Sequence, residues 1–228
     1  MKELTKQMRS WMDSFGNEYT DRNALTLEEL DRAYKENYGI TRNELNHAFV
    51  GDLNRSIKIL EVGSNIGNQL LFLQKMGFNN LYGIEINSYA VEHAKANTKN
   101  ISIIQGGASN IPFKNNYFDL IFTSGVLIHI APRDIEKALK EIHRCSKEYI
   151  WGFEYYADTY TELVYRGHKN LLWKTNFAGL YLDLFDDLEL VKEKRVKYLD
   201  NENVDAMFLI KKINKKKTGA IFEARYLQ

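Results

Sequence analysis

From residue 56 onward, short apolar runs alternate with amphipathic segments at helical spacing. The apolar runs have the length and residue content of strands, and they predict five of them: 57–62, 81–86, 101–105, 118–123 and 149–153. The fourth run is apolar at almost every position, as expected of a strand that is covered on both faces. Strands that alternate with helices in this way indicate a doubly wound α/β fold around a mostly parallel sheet.

The segments on either side of this core have a different pattern. Residues 1–50 are predicted to be helical, and Thr26 followed by Glu29 matches a capping box at the start of one helix. Near the other end, the runs 188–198 and 204–213 predict an antiparallel pair of strands that closes the sheet. The predicted sheet therefore has seven strands.

Domain boundaries follow from these patterns. The α/β domain is predicted to span 51–213, with an aromatic-rich insertion of loop and helix at about 155–180. Residues 214–228 contain a lysine run and are expected to form a disordered tail.

Composition narrows the classes of function. The 228 residues include 31 basic and 30 acidic side chains, so the chain lacks the basic excess of a general nucleic-acid binder. No run approaches the ~20 apolar residues that span a bilayer, and the first residues lack the apolar core of a signal peptide. Cys145 is the single cysteine, and its helix-like setting favours a buried apolar role. These features predict a cytoplasmic protein without a membrane or nucleic-acid partner.

The candidate chemistry starts with a glycine pair directly after the first strand. Within 61–67, Gly63 lets the chain turn sharply, and Gly67 lets the next helix begin close to a ligand. Glu85 ends the second strand, 24 positions after Glu61, where a carboxylate can accept hydrogen bonds from both hydroxyls of a ribose. The pattern therefore predicts a nucleoside-containing cofactor at the carboxyl edge of the sheet.

Two classes of cofactor suit such a turn. A dinucleotide site normally has its glycines in the order G-x-G-x-x-G, whereas this turn reads G-x-N-x-G. Glu61, just before the turn, would repel a pyrophosphate but can hold the ammonium end of a cationic sulfonium ligand. The pattern favours S-adenosylmethionine over NAD, and an NAD-dependent enzyme with the same sheet is the alternative.

Four motifs carry a resemblance to a known family: 59–67, 83–87, 110–113 and 118–122. In order and spacing they resemble the motifs of class I (Rossmann-like) S-adenosylmethionine-dependent methyltransferases. The sequence departs from that pattern twice. Asn65 replaces the middle glycine of the first motif, and Gly107 stands where many members carry an acid near the adenine amino group. Asn110 or backbone groups around Ala108 could take over that contact.

The resemblance implies contacts between the cofactor and four parts of the chain. Residues of the first motif would line its methionine end: Glu61, Gly63, Ser64, Asn65 and Gly67. The end of the second strand would bind the ribose and pack on the adenine: Glu85 and Ile86. The loop after the third strand would edge the adenine: Ala108 and Ser109. The end of the fourth strand would face the methionine and the transferred methyl: Thr123 and Ser124.

A second, narrower resemblance covers most of the chain. It rests on Trp11 and on seven short segments: 15–19, 22–23, 125–130, 154–156, 165–168, 172–174 and 177–179. These are similar to segments of the pseudaminic acid biosynthesis-associated methylases, a group linked to bacterial surface sugars. The resemblance implies a sugar-type acceptor and a helical lid over residues 1–50. Tyr19 and Arg22 would close over the cofactor, with Arg22 on its carboxylate; exposed positions on a helix are the alternative.

An aromatic and cationic cluster follows the fifth strand. The residues predicted to bind the acceptor are Tyr155, Tyr156, Tyr165, Arg166, Lys169, Trp173 and Lys174. Aromatic faces suit sugar rings, and cations suit a carboxylate or phosphate. The alternative is a small hydrophobic core beneath the insertion.

Three residues are candidates for a general base: His129, His168 and Glu154. His129 lies just past the fourth strand, near the expected position of the methyl, where it could take a proton from a hydroxyl or an amine. A structural histidine that bonds the backbone or the cofactor is the competing interpretation. No cluster has the spacing of metal ligands, so no metal is expected.

The predicted reaction is in-line transfer of a methyl group to an oxygen or nitrogen of a small acceptor. The acceptor is predicted to be a sugar or a sugar-derived intermediate of bacterial surface glycan biosynthesis. The alternatives are a peptide, an amino acid or another small metabolite as acceptor, and a non-enzymatic module that keeps the cofactor site.

Overall fold

The computed structural model of the protein describes residues 4–213. The predicted tail, 214–228, lies outside the described residues.

The core of the fold is a sheet of seven strands in the order β3-β2-β1-β4-β5-β9-β8. Its strands are β1 Lys58–Val62, β2 Asn80–Glu85, β3 Ile101–Gln105, β4 Phe118–Ser124, β5 Ser146–Tyr155, β8 Leu188–Lys197 and β9 Val204–Lys212. The first five are parallel, and β9 runs antiparallel to both β5 and β8. The predicted doubly wound, mostly parallel sheet is confirmed, including its antiparallel closing pair.

Eight α-helices connect or flank these strands within the described residues. They are α1 Lys6–Met12, α2 Ser14–Arg22, α3 Leu27–Tyr38, α4 Arg42–Val50, α5 Asn68–Lys75, α6 Ser88–Asn97, α7 Pro132–Cys145 and α8 Phe177–Leu184. Thr26 and Glu29 form the expected capping box of α3. Among residues 4–213, no helix is both long and apolar enough to cross a bilayer.

Each face of the sheet carries its own hydrophobic cluster. On β1 the neighbours Leu60 and Ile59 belong to different clusters, because successive side chains of a strand point to opposite faces. Cys145 is fully buried in the cluster that contains Leu60, which agrees with its predicted apolar role. Two covered faces explain why the parallel strands read as nearly unbroken apolar runs.

The segment 155–180 differs from its predicted structure. Its loop is a β-hairpin of β6 (Thr161–Tyr165) and β7 (His168–Lys174), which precedes α8. Gly167 and its neighbour Arg166 both have positive φ and form the turn of this hairpin. Alternating exposure holds over only the five residues of β6, and β7 begins with exposed polar residues, so the period of two is too short to be seen in the sequence.

The strand order reverses between β1 and β4, and this reversal positions the site. The chain leaves β1 toward β2 on one side and leaves β4 toward β5 on the other, which opens a crevice at their carboxyl ends. Gly63 turns the chain away at the end of β1 with φ 76°. A Cβ on Gly63 would lie 2.5 Å from Cγ2 of Val126, so the two loops that border the crevice touch at a glycine.

The close approach at Gly63 predicts the effect of two matched substitutions. Gly125 also has positive φ (66°), but a Cβ there would meet nothing within 4 Å. Both Gly63→Ala and Gly125→Ala should lose about 1–2 kcal/mol of unfolding free energy from backbone strain. Gly63→Ala should lose a further 1–3 kcal/mol, roughly, because the stiff valine must move. Urea unfolding of each variant measures its loss of unfolding free energy. Equal losses in Gly63→Ala and Gly125→Ala would contradict the packing argument.

Candidate functional site

The turn after β1 is fixed by its own backbone and by the end of β2. The amides of Gly63 and Ser64 donate to the carbonyl of Ile84 at 2.8 and 3.0 Å. Asn65 has φ 45°, a left-handed conformation that asparagine tolerates better than most residues, so it can stand where the family carries a glycine. Gly67 caps α5 without a side-chain hydrogen bond. Within the first turn of α5, the amide of Leu70 bonds the carboxyl group of Glu61, which ties the start of the helix to the end of β1.

Two buried carboxyl groups lie beside this turn. Glu85 accepts hydrogen bonds from the amides of Asn65 and Asn87, both at 2.9 Å, and so ties the turn to the end of β2. Glu61 is 2% exposed, and its Oε2 atom has no hydrogen-bond partner. Burial raises the pKa of both groups, that of Glu61 well above its usual range, and the charge of Glu85 adds to the effect on Glu61. A cationic ligand would relieve this desolvation.

Further buried polar atoms without partners belong to residues around the same crevice. They are Ser64 Oγ, Arg42 Nη2 and Trp11 Nε1. Buried polar atoms are nearly always paired in folded proteins, so unpaired atoms near one crevice indicate that a polar ligand completes them. Together with Glu61, they would suit a ligand with an ammonium group, a carboxylate and hydroxyls, as S-adenosylmethionine has.

Helices α1 and α2 lie directly on the loops that form the crevice. The side chain of Asn87 donates to the carbonyl of Trp11 and to Oδ1 of Asn17, both at 2.9 Å. The hydroxyl of Thr20 lies 3.0 Å from Oδ1 of Asn65. These contacts place the N-terminal helices over the carboxyl ends of β1 and β2.

The structure separates the two residues predicted to close over the cofactor. Desolvation raises the pKa of Tyr19, and Tyr165, Tyr34 and Glu85 lie close enough to contribute. Tyr19 therefore lies in the crevice. Arg22 is near Tyr19 but pairs with Glu18 at 3.6 Å, and its side chain is 32% exposed.

The end of β4 is held by a buried carboxyl group. Glu154 accepts hydrogen bonds from the amides of Val126 and Ile128, at 3.0 and 3.4 Å, and also bonds the side chain of Thr123. Burial raises the pKa of Glu154 to about 7. Both carboxyl oxygens are used by these contacts, which fix the 3₁₀ turn Leu127–His129 and place Glu154 as a support of that turn.

That turn presents His129 to the crevice. Its Nδ1 lies 2.7 Å from the carbonyl of Leu171, and because a carbonyl can only accept, Nδ1 carries the hydrogen and Nε2 keeps its lone pair. The ring centre is 4.5 Å from that of Trp11 and 5.3 Å from that of Tyr165. Burial lowers the pKa of His129 to about 4. The imidazole is therefore neutral at physiological pH and can accept a proton.

The residues predicted to contact the adenine lie together under α1. A Cβ on Gly107 would lie 3.7 Å from Cε of Met8 and 3.8 Å from Cδ1 of Ile86. The loop therefore lies between Met8 of α1 and Ile86. Ala108 and Ser109 follow in the same loop and are half-buried.

The predicted acceptor-binding cluster does not come together as one surface. Tyr165 lies in the crevice, 6.0 Å from the Phe15 ring, and Tyr155 borders it. The other members lie elsewhere. The turn between β6 and β7 projects Arg166 and Lys169 into solvent, whereas Trp173 is buried, Lys174 reaches Asn203, and Tyr156 bonds Asp158 beneath Arg195. The candidate base His168 is exposed beside that turn, and its ring centre lies 5.6 Å from that of Phe15.

Several polar residues of this edge were missed by sequence reasoning. Tyr38 donates to Asp205 at 2.6 Å and lies 2.7 Å from the hydroxyl of Tyr198, which in turn donates to Tyr155 at 3.1 Å. Burial raises the pKa of Asp205 to about 6. Arg42 is the other missed residue, and it is fully buried. No local pattern marks these positions, because their burial depends on how α3 and α4 pack against the sheet.

Part of the chain resembles known methyltransferases in sequence. Residues 60–149 match the methyltransferase domain family model. An uncharacterised methyltransferase of Synechocystis sp. is 28% identical over 90 residues, which are 40% of this chain and 42% of the relative. Phosphoethanolamine N-methyltransferase of Plasmodium falciparum is 27% identical over 137 residues, 58% of this chain and 49% of the relative. The chain spans between 26% and 49% of the length of the curated relatives that it matches.

Solved structures share the fold at low sequence identity. The 1,6-didemethyltoxoflavin N1-methyltransferase of Burkholderia thailandensis, bound to 1,6-didemethyltoxoflavin and S-adenosylhomocysteine, has a TM-score of 0.67 at 16% identity, over 94% of this chain and 93% of that chain. A [4+2]-cyclase, SpnF, has a TM-score of 0.58 at 14% identity, over 75% of this chain and 80% of that chain. Residues 60–149 therefore resemble a methyltransferase domain, and the chain shares its fold with solved S-adenosylmethionine-dependent methyltransferases.

Proposed function

We propose that the protein transfers a methyl group from S-adenosylmethionine to an oxygen or nitrogen of a small acceptor. The observation that carries this proposal is the neutral His129, held by Leu171 beside a covered crevice whose polar atoms lack partners. A base with a free lone pair next to the proposed cofactor site suits proton removal from an attacking hydroxyl or amine.

The cofactor would be held by the motif residues in the order that the resemblance implies. Gly63, Ser64 and Gly67 would line the methionine end, and Thr123 and Ser124 would face the methyl. Glu85 uses both oxygens for backbone amides, yet each carboxylate oxygen has a second lone pair for a ribose hydroxyl. Other proposed contacts are Glu61 and Asn65 at the turn, Ile86, Ala108 and Ser109 at the adenine, and Tyr19 from α2.

The chain's own contribution to the reaction is alignment, exclusion of water and proton transfer. The cofactor, when bound, supplies a methyl group on a positively charged sulfur that is open to in-line attack. Helices α1 and α2 act as a lid that keeps water from the crevice, and alignment inside it can supply several kcal/mol, on the order of 7 or more in favourable cases. As the acceptor attacks, Nε2 of His129 takes its proton, while Glu154 keeps the turn of His129 in place.

For the acceptor, we propose a sugar or a sugar-derived intermediate of surface glycan biosynthesis in the cytoplasm. Aromatic rings of Trp11, Phe15 and Tyr165 lie around His129, and such faces suit the apolar sides of a sugar ring. The resemblance to the pseudaminic acid-associated methylases supports the same class. A single cysteine needs no oxidising compartment, which fits a cytoplasmic location.

Two alternatives have support of their own. The Plasmodium falciparum relative is a phosphoethanolamine N-methyltransferase, which favours a small amine or another metabolite as acceptor. The cyclase with the same fold favours a role other than methyl transfer, because folds host more than one chemistry.

The acceptor class is tested by S-adenosylhomocysteine release from the purified protein. The panel holds nucleotide-activated sugars, free acidic sugars, amino acids, short peptides and small amines. Because a methyl replaces a hydrogen, release with a sugar should come with a mass gain of about 14 Da in that sugar. Release only with an amine, peptide or amino acid would overturn the sugar proposal but keep the reaction, whereas cofactor binding without any release would favour a non-enzymatic role.

His129→Asn tests the proposed base. The asparagine amide can still donate to Leu171, but Nε2 is lost, so kcat should fall by roughly 10²- to 10⁴-fold with little change in cofactor affinity. In the wild type at saturating cofactor and acceptor, the loss of kcat that comes from His129 should appear as the pH drops through about 4, where His129 becomes protonated. His143→Asn, a matched change of a hydrogen-bonded histidine far from the crevice, should leave kcat unchanged. An unaltered kcat in H129N, or a loss in His168→Asn instead, would refute the assignment.

Glu61 predicts a pH dependence of cofactor binding. Its pKa is raised by burial, and an ammonium group favours the ionised carboxylate, so affinity for S-adenosylhomocysteine should rise with pH. The rise should end near pH ~8, where the ligand's own amine loses its charge. Calorimetry from acidic to neutral pH measures the slope. Glu61→Gln should bind more weakly and with a smaller slope, and Glu28→Gln, an exposed control, should match the wild type. Identical slopes in all three proteins would disprove the role of Glu61.

A further inference from the structure

Arg42 is a buried cation at the point where the strand order reverses. It is the first residue of α4 and has no exposed surface. Its Nε donates to Oδ1 of Asn46 at 2.8 Å, and its Nη1 donates to the hydroxyls of Tyr34 and Ser124, both at 3.0 Å. Since Ser124 ends β4, the guanidinium is fixed at the carboxyl edge of the sheet.

The guanidinium forms no salt bridge in the described part of the chain. Its Nη2 makes no hydrogen bond, and its contacts are neutral hydroxyls, an amide and the rings of Tyr34, Trp151 and Phe153 at 4.9–5.6 Å. The carboxyl groups of Glu61 and Asp205 lie near enough to feel its charge, but neither bonds it. Aromatic faces offset only a small part of the cost of burying a charge. A buried arginine in this state lacks the two-point partner that its planar fork is suited to bind, such as a carboxylate.

A buried carboxyl group with one free oxygen lies close to this guanidinium: Glu61 bonds the amide of Leu70 but leaves Oε2 without a partner. Glu61 is influenced by the charge of Arg42, yet the two side chains form no salt bridge. Ser64 follows three residues later with its hydroxyl also unpaired. A ligand that carries a carboxylate and an ammonium on one carbon would satisfy both side chains at once.

We propose that Arg42 and Glu61 form the receptor for the amino-acid end of the cofactor, with Arg42 on the carboxylate and Glu61 on the ammonium. This inference rests on the proposed function. It replaces Arg22, the carboxylate ligand expected from the sequence, because Arg22 is partly exposed and already pairs with Glu18. Water screens such a rim charge far more than a buried one.

A ligand pair isolates the carboxylate from the rest of the cofactor. S-adenosylhomocysteine and its decarboxylated analogue share the adenosine, the sulfur and the amine, and differ only in the carboxylate. Calorimetry with both ligands should show that Arg42→Met lowers the affinity for S-adenosylhomocysteine by roughly 10- to 100-fold, as expected for loss of a charge-assisted bidentate contact. The same variant should change the affinity of the decarboxylated analogue by less than about threefold, because that ligand offers Arg42 nothing.

Three further proteins complete the test. Arg55→Met is the matched control, since Arg55 also lies over an aromatic ring, that of Phe78 at 4.5 Å, but bonds backbone carbonyls far from the crevice; both affinities should be retained. Arg42→Lys keeps the charge without the fork and should give an intermediate loss; it also serves if the methionine variant fails to fold. Arg22→Met should leave the preference for the carboxylate intact.

The outcomes separate the two proposals. An equal loss of affinity for both ligands in the Arg42 variants would make Arg42 a purely structural residue and overturn the inference. If Arg22→Met instead loses the preference for S-adenosylhomocysteine over its decarboxylated analogue, the carboxylate contact belongs to Arg22. An unchanged preference in the Arg42 variants, with a raised KM for the acceptor, would assign Arg42 to an acceptor carboxylate and also overturn it. Failure of the wild type to bind either ligand would count against the proposed function itself.

Discussion

Burial of ionisable groups at the carboxyl ends of β1, β2 and β4 is the constraint on which the rest of the site depends. Arg42, Glu61 and Glu85 are all withdrawn from water, which raises the pKa of the two carboxyl groups and makes every charged form costly. The two hydrophobic clusters on the faces of the sheet offset that cost. Several polar atoms at this edge, among them Oε2 of Glu61 and Nη2 of Arg42, have no hydrogen-bond partner within the described residues.

The helices that precede the sheet make this arrangement possible. Without α1 and α2, the crevice would be open to water and its charges would be solvated. Asn87 and Asn65 bond Trp11, Asn17 and Thr20, so the cover is held by the same loops that carry the cofactor motifs. Helices α1 and α2 and the loops after β1 and β2 therefore form a single hydrogen-bonded unit. The low pKa of His129 follows from its burial.

The sequence predicts the fold well because buried parallel strands leave long apolar runs and because the turn after β1 needs glycine at Gly63. The prediction of a cofactor beside this turn rests on the same glycine. It could not predict Arg42 or the group around Asp205, since a buried arginine at the start of an ordinary helix has no local signature. The sequence groups Arg166 and Lys169 with Tyr165 because the three are neighbours along the chain. In the hairpin, Tyr165 is half-buried and the two cations are exposed.

The hydrogen bonds from α2 to the loops after β1 and β2 have a kinetic consequence. For the proposed cofactor to enter beneath α2, the contacts of Thr20 with Asn65 and of Asn17 with Asn87 would have to break and form again in every catalytic cycle. Opening of a covering element is commonly slower than the chemical step in enzymes with such covers. The rate of turnover would then be set by how often these two helices lift, and an acceptor small enough to enter beneath them could exchange many times during one residence of the cofactor.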